Sequence, residues 1–146
     1  MQTEQDIEPL LATQKEQLGL TFSDGDSVDG KSLAILGANI AIITYVNQTA
    51  AGLALWEYIV LYAPFVLSLA LDVFSVWPQH YRGPGVRSEL LQDYLNMPRE
   101  DLLLQLLSDT QSAIEHNTHL NKLRLRACVY SIGLTGLGFL AVLLIL

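Results

Sequence analysis

Two apolar segments joined by a short loop, between Lys31 and Trp77, constrain the fold of this chain more than any other feature of its sequence. The second segment lies between Trp56 and Trp77 and is apolar apart from a few polar residues. Tryptophans about 21 residues apart are separated by about 31 Å on a helix, which is close to the thickness of the hydrocarbon core of a bilayer. The stretch therefore predicts a transmembrane helical hairpin with tryptophans at the membrane interfaces.

The first segment of the hairpin is the shorter one. It runs from Leu33 to Val46 and reaches roughly 18 residues only when it is extended to Ala51. Two buried helices of a water-soluble core are the alternative, but a chain of 146 residues offers little protein to cover them. The composition also favours a membrane protein, because 51% of the residues are hydrophobic, only 16% are charged and the mean hydropathy is +0.33.

A third apolar run, from Ala127 to Leu146, is long enough for one more transmembrane helix. Ala127, Ser131 and Thr135 recur in it at intervals of four residues, and small residues at this spacing allow helices to approach closely. We expect this helix to pack on the hairpin or on another copy of the chain.

The basic residues predict the orientation of the spans. All eight lie in the N-terminal or the middle segment, and the loop between the first two spans has none. They are Lys15, Lys31, Arg82, Arg87, Arg99, Lys122, Arg124 and Arg126. By the positive-inside rule, the N-terminal and middle segments are cytosolic in a multi-pass protein of the cell (inner) membrane, and the C-terminus lies on the opposite side.

The predicted fold is an all-α integral membrane protein with an N-terminal transmembrane hairpin, a cytosolic helical segment and a third, C-terminal transmembrane helix. The four parts are a cytosolic amphipathic helix with an acidic loop (1–30), the hairpin (31–77), a cytosolic helical stalk (78–126) and the third transmembrane helix (127–146).

Local signals set the expected boundaries of the cytosolic helices. An amphipathic helix is predicted over Thr3–Leu18, with Gly19 as its stop, and Thr21–Gly30 is predicted to be an acidic loop. The spacing of the aspartates in that segment resembles the spacing in a calcium-binding loop, but Val28 stands where an oxygen ligand is needed. In the stalk, a short helix over Arg87–Leu95 precedes a long one that begins near Pro98.

Polar residues in and near the spans are the candidates for membrane-interface or helix-packing roles. Lys31 is expected to anchor the first helix in the headgroup zone, and Lys122 precedes the third. Asn39, about 12 Å deeper than Lys31, is expected to hydrogen-bond to a neighbouring helix, with a pore-lining role as the alternative. Asp72 is expected to reach the interface or pair with Lys31, with an ion-pathway role as the alternative. Asn117, on the apolar stripe of the stalk, resembles a polar position that sets helix register.

The residues give little support for catalysis, metal binding or nucleic-acid binding. His116 and His119 are three residues apart, but a di-metal bundle would repeat a Glu-x-x-His motif that this chain lacks, so solvated histidines are expected. No nucleophile is grouped with a base, and Cys128 stands at the start of an apolar run. The net charge of −7 argues against a nucleic-acid partner. We therefore expect no enzyme and no cofactor.

Two short motifs resemble the Pycsar effector and SLATT-like families of small bacterial membrane proteins. From Asp29 to Asn39, an acid, a lysine and a small residue precede an apolar stretch that contains an asparagine. From Asn117 to Ala127, an asparagine, a lysine and an arginine lead into the last apolar helix. Carried over by position, the shared residues are Lys31, Asn39, Asn117 and Lys122. The sequence lacks a recognisable Gly-rich nucleotide-binding loop.

The resemblance implies a membrane effector of a bacterial defence or stress system. Such proteins are thought to oligomerise and to perturb the membrane when a cytosolic nucleotide or protein triggers them. The expected partners are thus the lipid bilayer and either further copies of the chain or a larger membrane complex. The alternative is a non-catalytic structural or accessory subunit of a larger complex, since small-residue stripes serve both kinds of protein.

Overall fold

The computed structural model describes residues 4–83 and 97–146, and within these ranges the chain is helical without strands. The helices are α1 (Glu4–Thr49), α2 (Leu55–Val76) and α3 (Arg99–Ile145). The all-helical fold class is thereby confirmed for the described part of the chain. The short stalk helix predicted over Arg87–Leu95 lies outside the described residues.

The chain forms two compact units. One combines Met1–Gly25 with Gln79–Asn121, and the other combines Asp26–Pro78 with Lys122–Leu146. Helices α1 and α3 contribute residues to both units, whereas α2 belongs to the second.

Helix α1 does not end at Gly19, so the predicted stop and the predicted acidic loop over Thr21–Gly30 are both wrong. A glycine inside a helix costs only about 1 kcal/mol, which tertiary packing readily offsets. Packing is visible in the first unit, where the side-chain amide of Asn121 donates to the carbonyl of Thr21 at 2.6 Å. At Gly25 the close approach of Tyr81 leaves no room for a side chain, because an added Cβ would lie 2.6 Å from the Tyr81 hydroxyl.

Helices α1 and α2 are joined by a tight turn in the second unit. α1 ends at Thr49, two residues before the expected limit of the first segment, and Gly52 adopts a positive φ of 89° that favours glycine. The Glu57 carboxylate accepts a 2.7 Å hydrogen bond from the backbone N–H of Ala54 and so fixes the start of α2. The Tyr58 hydroxyl donates to the Ala50 carbonyl at 2.5 Å, which ties α2 to the end of α1.

Buried residues of the second unit follow the three- and four-residue steps of helices that pack side by side. In α2 these residues are Leu61, Phe65, Ser68, Asp72 and Ser75. The apolar part of the core, which we call the apolar plug, consists of Val46, Ala50, Leu61, Phe65 and Val142.

Outside the apolar plug, the interior of the second unit is mostly polar, with Val28, Ala127 and Cys128 as its buried apolar residues, and its exterior is largely apolar. Its fully or almost fully buried polar side chains are Ser32, Asn39, Ser68, Asp72, Ser75, Arg124 and Ser131. Its exposed large apolar side chains include Leu33, Ile40, Val66, Leu67, Phe74, Ile132, Leu137, Leu140 and Leu143. This distribution is the reverse of the usual one in water-soluble proteins.

Two of the helices are long and apolar enough to cross a membrane. These are α2 and α3, whose best windows have mean hydropathies of 2.1 and 2.2. Only 28% and 22% of these windows are buried, whereas the core helix of a water-soluble protein is mostly buried. The first predicted span, which lies in α1, does not meet the same criterion.

Candidate functional site

Five side chains from three helices form a buried polar cluster in the second unit. Asn39 comes from α1, Ser68 and Asp72 come from α2, and Ser131 and Thr135 come from α3. Asn39, Ser68, Asp72 and Ser131 are completely buried. Each helix presents its polar group inward because that position lies on the buried face of its helical repeat.

A closed ring of hydrogen bonds links all three helices. The Asn39 amide nitrogen donates to the Ser68 hydroxyl at 2.7 Å, and the Ser68 hydroxyl lies 2.9 Å from that of Thr135. The Thr135 hydroxyl in turn donates to the Asn39 amide oxygen at 2.9 Å. With Ser68 donating to Thr135, the three donors all point the same way around the ring, an arrangement in which hydrogen bonds strengthen one another.

The Asp72 carboxylate accepts hydrogen bonds from neutral groups on the other two helices. Asn39 donates to one carboxylate oxygen at 3.2 Å, and the Ser131 hydroxyl donates to the other at 2.6 Å. The predicted pair between Asp72 and Lys31 does not form, because Lys31 is exposed. One residue of a helix turns the side chain by about 100°, so Lys31 points away from the buried face that its neighbour Ser32 occupies.

A second polar group surrounds Arg124, which is only 3% exposed. Its guanidinium forms a salt bridge with Asp29 and donates to the Ser75 carbonyl at 2.5 Å, near the end of α2. That carbonyl belongs to the last turn of α2, where backbone acceptors lack helical partners, so Arg124 acts as a cap. The guanidinium keeps its proton, because arginine is not deprotonated in proteins.

The two polar groups are adjacent along the core. Ser32 donates to the Ser75 hydroxyl at 2.8 Å, and Ser75 lies one helical turn from Asp72. On the other side of the buried polar cluster lies the apolar plug. There the Phe65 ring packs against Gly138 so closely that an added Cβ would lie 2.6–2.9 Å from three of its ring atoms.

Asn117 is completely buried in the first unit and binds backbone. Its amide donates to the Arg82 carbonyl at 2.9 Å and accepts from the Arg82 N–H at 2.9 Å. This pair of bonds fixes the segment around Arg82 on α3. Lys122, the remaining candidate, is exposed.

The five candidate residues are thus only partly brought together. Asn39 and Asp72 are in contact, Asn117 makes its bonds in the first unit, and Lys31 and Lys122 are exposed. Within residues 4–83 and 97–146, no group of three or more His, Cys, Asp and Glu side chains could hold a metal ion.

Sequence reasoning missed the roles of Ser68, Ser131, Thr135 and Arg124. Ser131 and Thr135 were recognisable as small residues at helical spacing, but their spacing does not reveal that their hydroxyls bind Asp72 and Asn39. The burial of Arg124 could have been inferred from spacing. Asn117, Arg124 and Ser131 follow one another at intervals of seven residues and so share one helix face, and Asn117 lies on the apolar stripe predicted for the stalk.

Comparisons of the sequence with protein-family models and with curated proteins, and of the structure with solved structures, gave no match. Function is therefore inferred from the residues of the chain itself.

Proposed function

We propose that the protein spans the membrane three times, with the second unit as its membrane-embedded bundle. The apolar exterior and polar interior of that unit support this proposal, because lipid-facing surfaces are apolar and intramembrane polar groups face the bundle interior. The same division explains why the first predicted span, in α1, does not meet the hydropathy criterion that α2 and α3 meet. Its buried face carries Ser32 and Asn39, whereas Leu33, Ile40 and Tyr45 are exposed.

The proposed orientation follows the basic residues. Lys31 and Lys122 follow and precede the salt-bridged residues Asp29 and Arg124 by two positions each, and we place this end of the second unit on the cytosolic side of the cell (inner) membrane. The turn around Gly52 and the C-terminus then lie on the opposite side.

Within this membrane bundle, the buried polar cluster suggests an effector function. An ionisable residue that is buried within a membrane span is costly and usually marks a functional site. Asp72 is such a residue, and an apolar side chain in its place would avoid the cost of burying a carboxylate. We assign the protein as a homo-oligomeric effector whose bundle is closed at rest. A cytosolic nucleotide or protein trigger separates the spans, and the polar groups then line a leak.

A structural or accessory subunit of a larger complex is the second candidate. It is favoured by the hydrogen bonds of the buried polar cluster, because Asn39, Asp72 and the three hydroxyl residues bind one another within one chain. In this case the cluster would only hold the helices together, and the exposed apolar surface would pack on partner subunits. Neither candidate requires catalysis or a cofactor.

Membrane potential in bacteria expressing the protein distinguishes the two functions. The test variant is the double substitution Asn39→Leu with Asp72→Leu, which replaces the polar groups together and leaves no orphaned carboxylate. The matched control is Thr44→Val, which removes an exposed hydroxyl on α1 that binds the Ile40 carbonyl of its own helix. Membrane insertion is verified for each protein.

An effector depolarises the cells as wild type and as Thr44→Val, but not as the double variant. Equal depolarisation by the double variant would show that the leak does not pass the buried polar cluster. If the wild type causes no depolarisation and co-purifies with a larger complex, the accessory subunit replaces the effector.

A further inference from the structure

The buried polar cluster gathers oxygen atoms from five side chains at one place in the core. The side chains of Asp72, Asn39, Ser68, Ser131 and Thr135 each supply oxygen, and they come from all three helices. The hydroxyls of Ser68 and Ser131 are 2.7 Å apart, and those of Ser68 and Thr135 are 2.9 Å apart. These are hydrogen-bond distances, and the same hard oxygen atoms are the kind of ligand that alkali and alkaline-earth cations prefer.

The negative charge of Asp72 in the cluster would also be balanced by a bound cation. Asp72 is completely buried, and its hydrogen bonds come from the neutral groups of Asn39 and Ser131. Arg124, the buried cation of this unit, forms its salt bridge with Asp29 instead. An ionised carboxylate in a low-dielectric interior is strongly destabilising without a positive partner. One positive charge would neutralise the cluster.

We propose that the buried polar cluster is a binding site for one monovalent cation of the size of Na⁺. The inference rests on the proposed function, since it places the site inside a membrane bundle. A divalent cation would leave an excess positive charge in the hydrocarbon region, whereas a monovalent cation balances Asp72. The ligands are one Asp72 carboxylate oxygen, the Asn39 amide oxygen and the hydroxyls of Ser68, Ser131 and Thr135.

Small rotations convert the hydrogen-bonded cluster into the ion-bound one. A hydroxyl can coordinate a cation when its proton turns to another acceptor, and the Ser131 carbonyl already lies 2.9 Å from the Thr135 hydroxyl and 3.1 Å from that of Ser68. The Ser131 hydroxyl can turn to a carbonyl one turn earlier in α3. A half-turn of the Asn39 amide directs its oxygen toward Asp72 in place of its nitrogen.

Access to the site is asymmetric. On one side, Ser32 and Ser75 continue the polar core toward Arg124. On the other side, the apolar plug closes the core, with Phe65 seated against Gly138. A cation therefore enters from the end that carries the basic residues, and the apolar plug prevents it from crossing the resting bundle.

Thermal unfolding of the purified full-length protein in lipid nanodiscs tests this site. Na⁺ is titrated against N-methyl-glucamine at constant ionic strength and pH, so that only specific binding changes the melting temperature. A ligand that binds the folded state raises the melting temperature in a saturable way. Thr135→Val and Ser131→Ala remove single donors, and Thr110→Val, in the first unit, removes a buried hydroxyl that binds the Leu106 carbonyl of its own helix and serves as the matched control.

We expect Na⁺ to raise the melting temperature of the wild type and of Thr110→Val to the same extent. In Thr135→Val and Ser131→Ala, the Na⁺ concentration needed for half of the shift should rise by a factor on the order of ten. The proposal is overturned if Na⁺ and N-methyl-glucamine give equal melting temperatures in the wild type, or if the donor variants respond to Na⁺ as the wild type does. Depolarisation is not part of this assay, so its outcome is independent of the effector function.

Discussion

Substitution of Asn39 by leucine should destabilise the bundle strongly, and an additional substitution of Asp72 should restore part of the loss. Asn39→Leu removes one of the two hydrogen bonds to the Asp72 carboxylate and leaves that carboxylate buried. Leaving a buried charged group short of a hydrogen bond costs about 3 kcal/mol, because hydrogen bonds to charged groups are the strongest of their kind. Asp72→Leu alone removes the charge but leaves one amide hydrogen of Asn39 without its acceptor, which costs about 1–3 kcal/mol.

The double variant has neither the orphaned carboxylate nor the orphaned amide. Its remaining hydroxyls, on Ser68, Ser131 and Thr135, can bind carbonyls of their own helices. We therefore expect the double variant to be more stable than the sum of the single effects predicts, with a coupling energy of about 2–3 kcal/mol. Average hydrogen bonds between membrane helices are coupled by only about 0.6 kcal/mol, so a coupling of this size requires the buried charge.

Reversible unfolding by SDS in mixed micelles measures these free energies. Thr44→Val, on the exposed face of α1, is the control and should change the stability by less than about 0.5 kcal/mol. Additivity of the two single substitutions within about 0.5 kcal/mol would refute the reasoning, because it would mean that Asn39 and Asp72 do not share one network.

Two further predictions use the same unfolding assay. Gly138→Ala should destabilise the protein by about 1–3 kcal/mol, because its Cβ would overlap the Phe65 ring. Gly133→Ala, with open space around its Cβ, should be neutral or stabilising by up to about 1 kcal/mol, and equal effects at both glycines would contradict the packing. Arg124→Met should cost about 1.5–3 kcal/mol, because it removes charged hydrogen bonds to the partly exposed Asp29 and to the Ser75 carbonyl at the end of α2. The exposed Arg126→Met should cost less than about 0.5 kcal/mol, and equal losses at the two arginines would count against a buried Arg124.

The sequence predicted the helices better than it predicted their boundaries and faces. The tryptophans at the two ends of α2 marked that helix well, and both are 62% exposed. The continuity of α1 through Gly19 was not predictable, because the buried positions between Leu18 and Val28 are Thr21 and Gly25, which carry no apolar signal. Local rules interpret such residues as a loop, whereas packing in the first unit keeps them helical.

The buried polar cluster was predictable only in part. Hydropathy identified Asn39 and Asp72 as unusual residues in apolar helices, since intramembrane polar groups are rare. Their partners depend on the rotation of each helix about its axis, which only the packing of the three helices fixes. For this reason the sequence predicts that Asp72 reaches the interface or pairs with Lys31, whereas the structure pairs it with Asn39 and Ser131.

Site-directed thiol labelling tests the proposed membrane topology most directly. Cys128, which is buried, is first replaced by Cys128→Ala, and single thiols are then introduced at exposed positions by Ala51→Cys or His119→Cys. Spheroplasts expressing each variant are treated with a membrane-impermeant maleimide before and after lysis. We expect Ala51→Cys to be labelled in intact spheroplasts and His119→Cys only after lysis. Recovery of the protein in the soluble fraction, or labelling of His119→Cys in intact spheroplasts, would contradict a bundle that crosses the membrane with its basic residues inside.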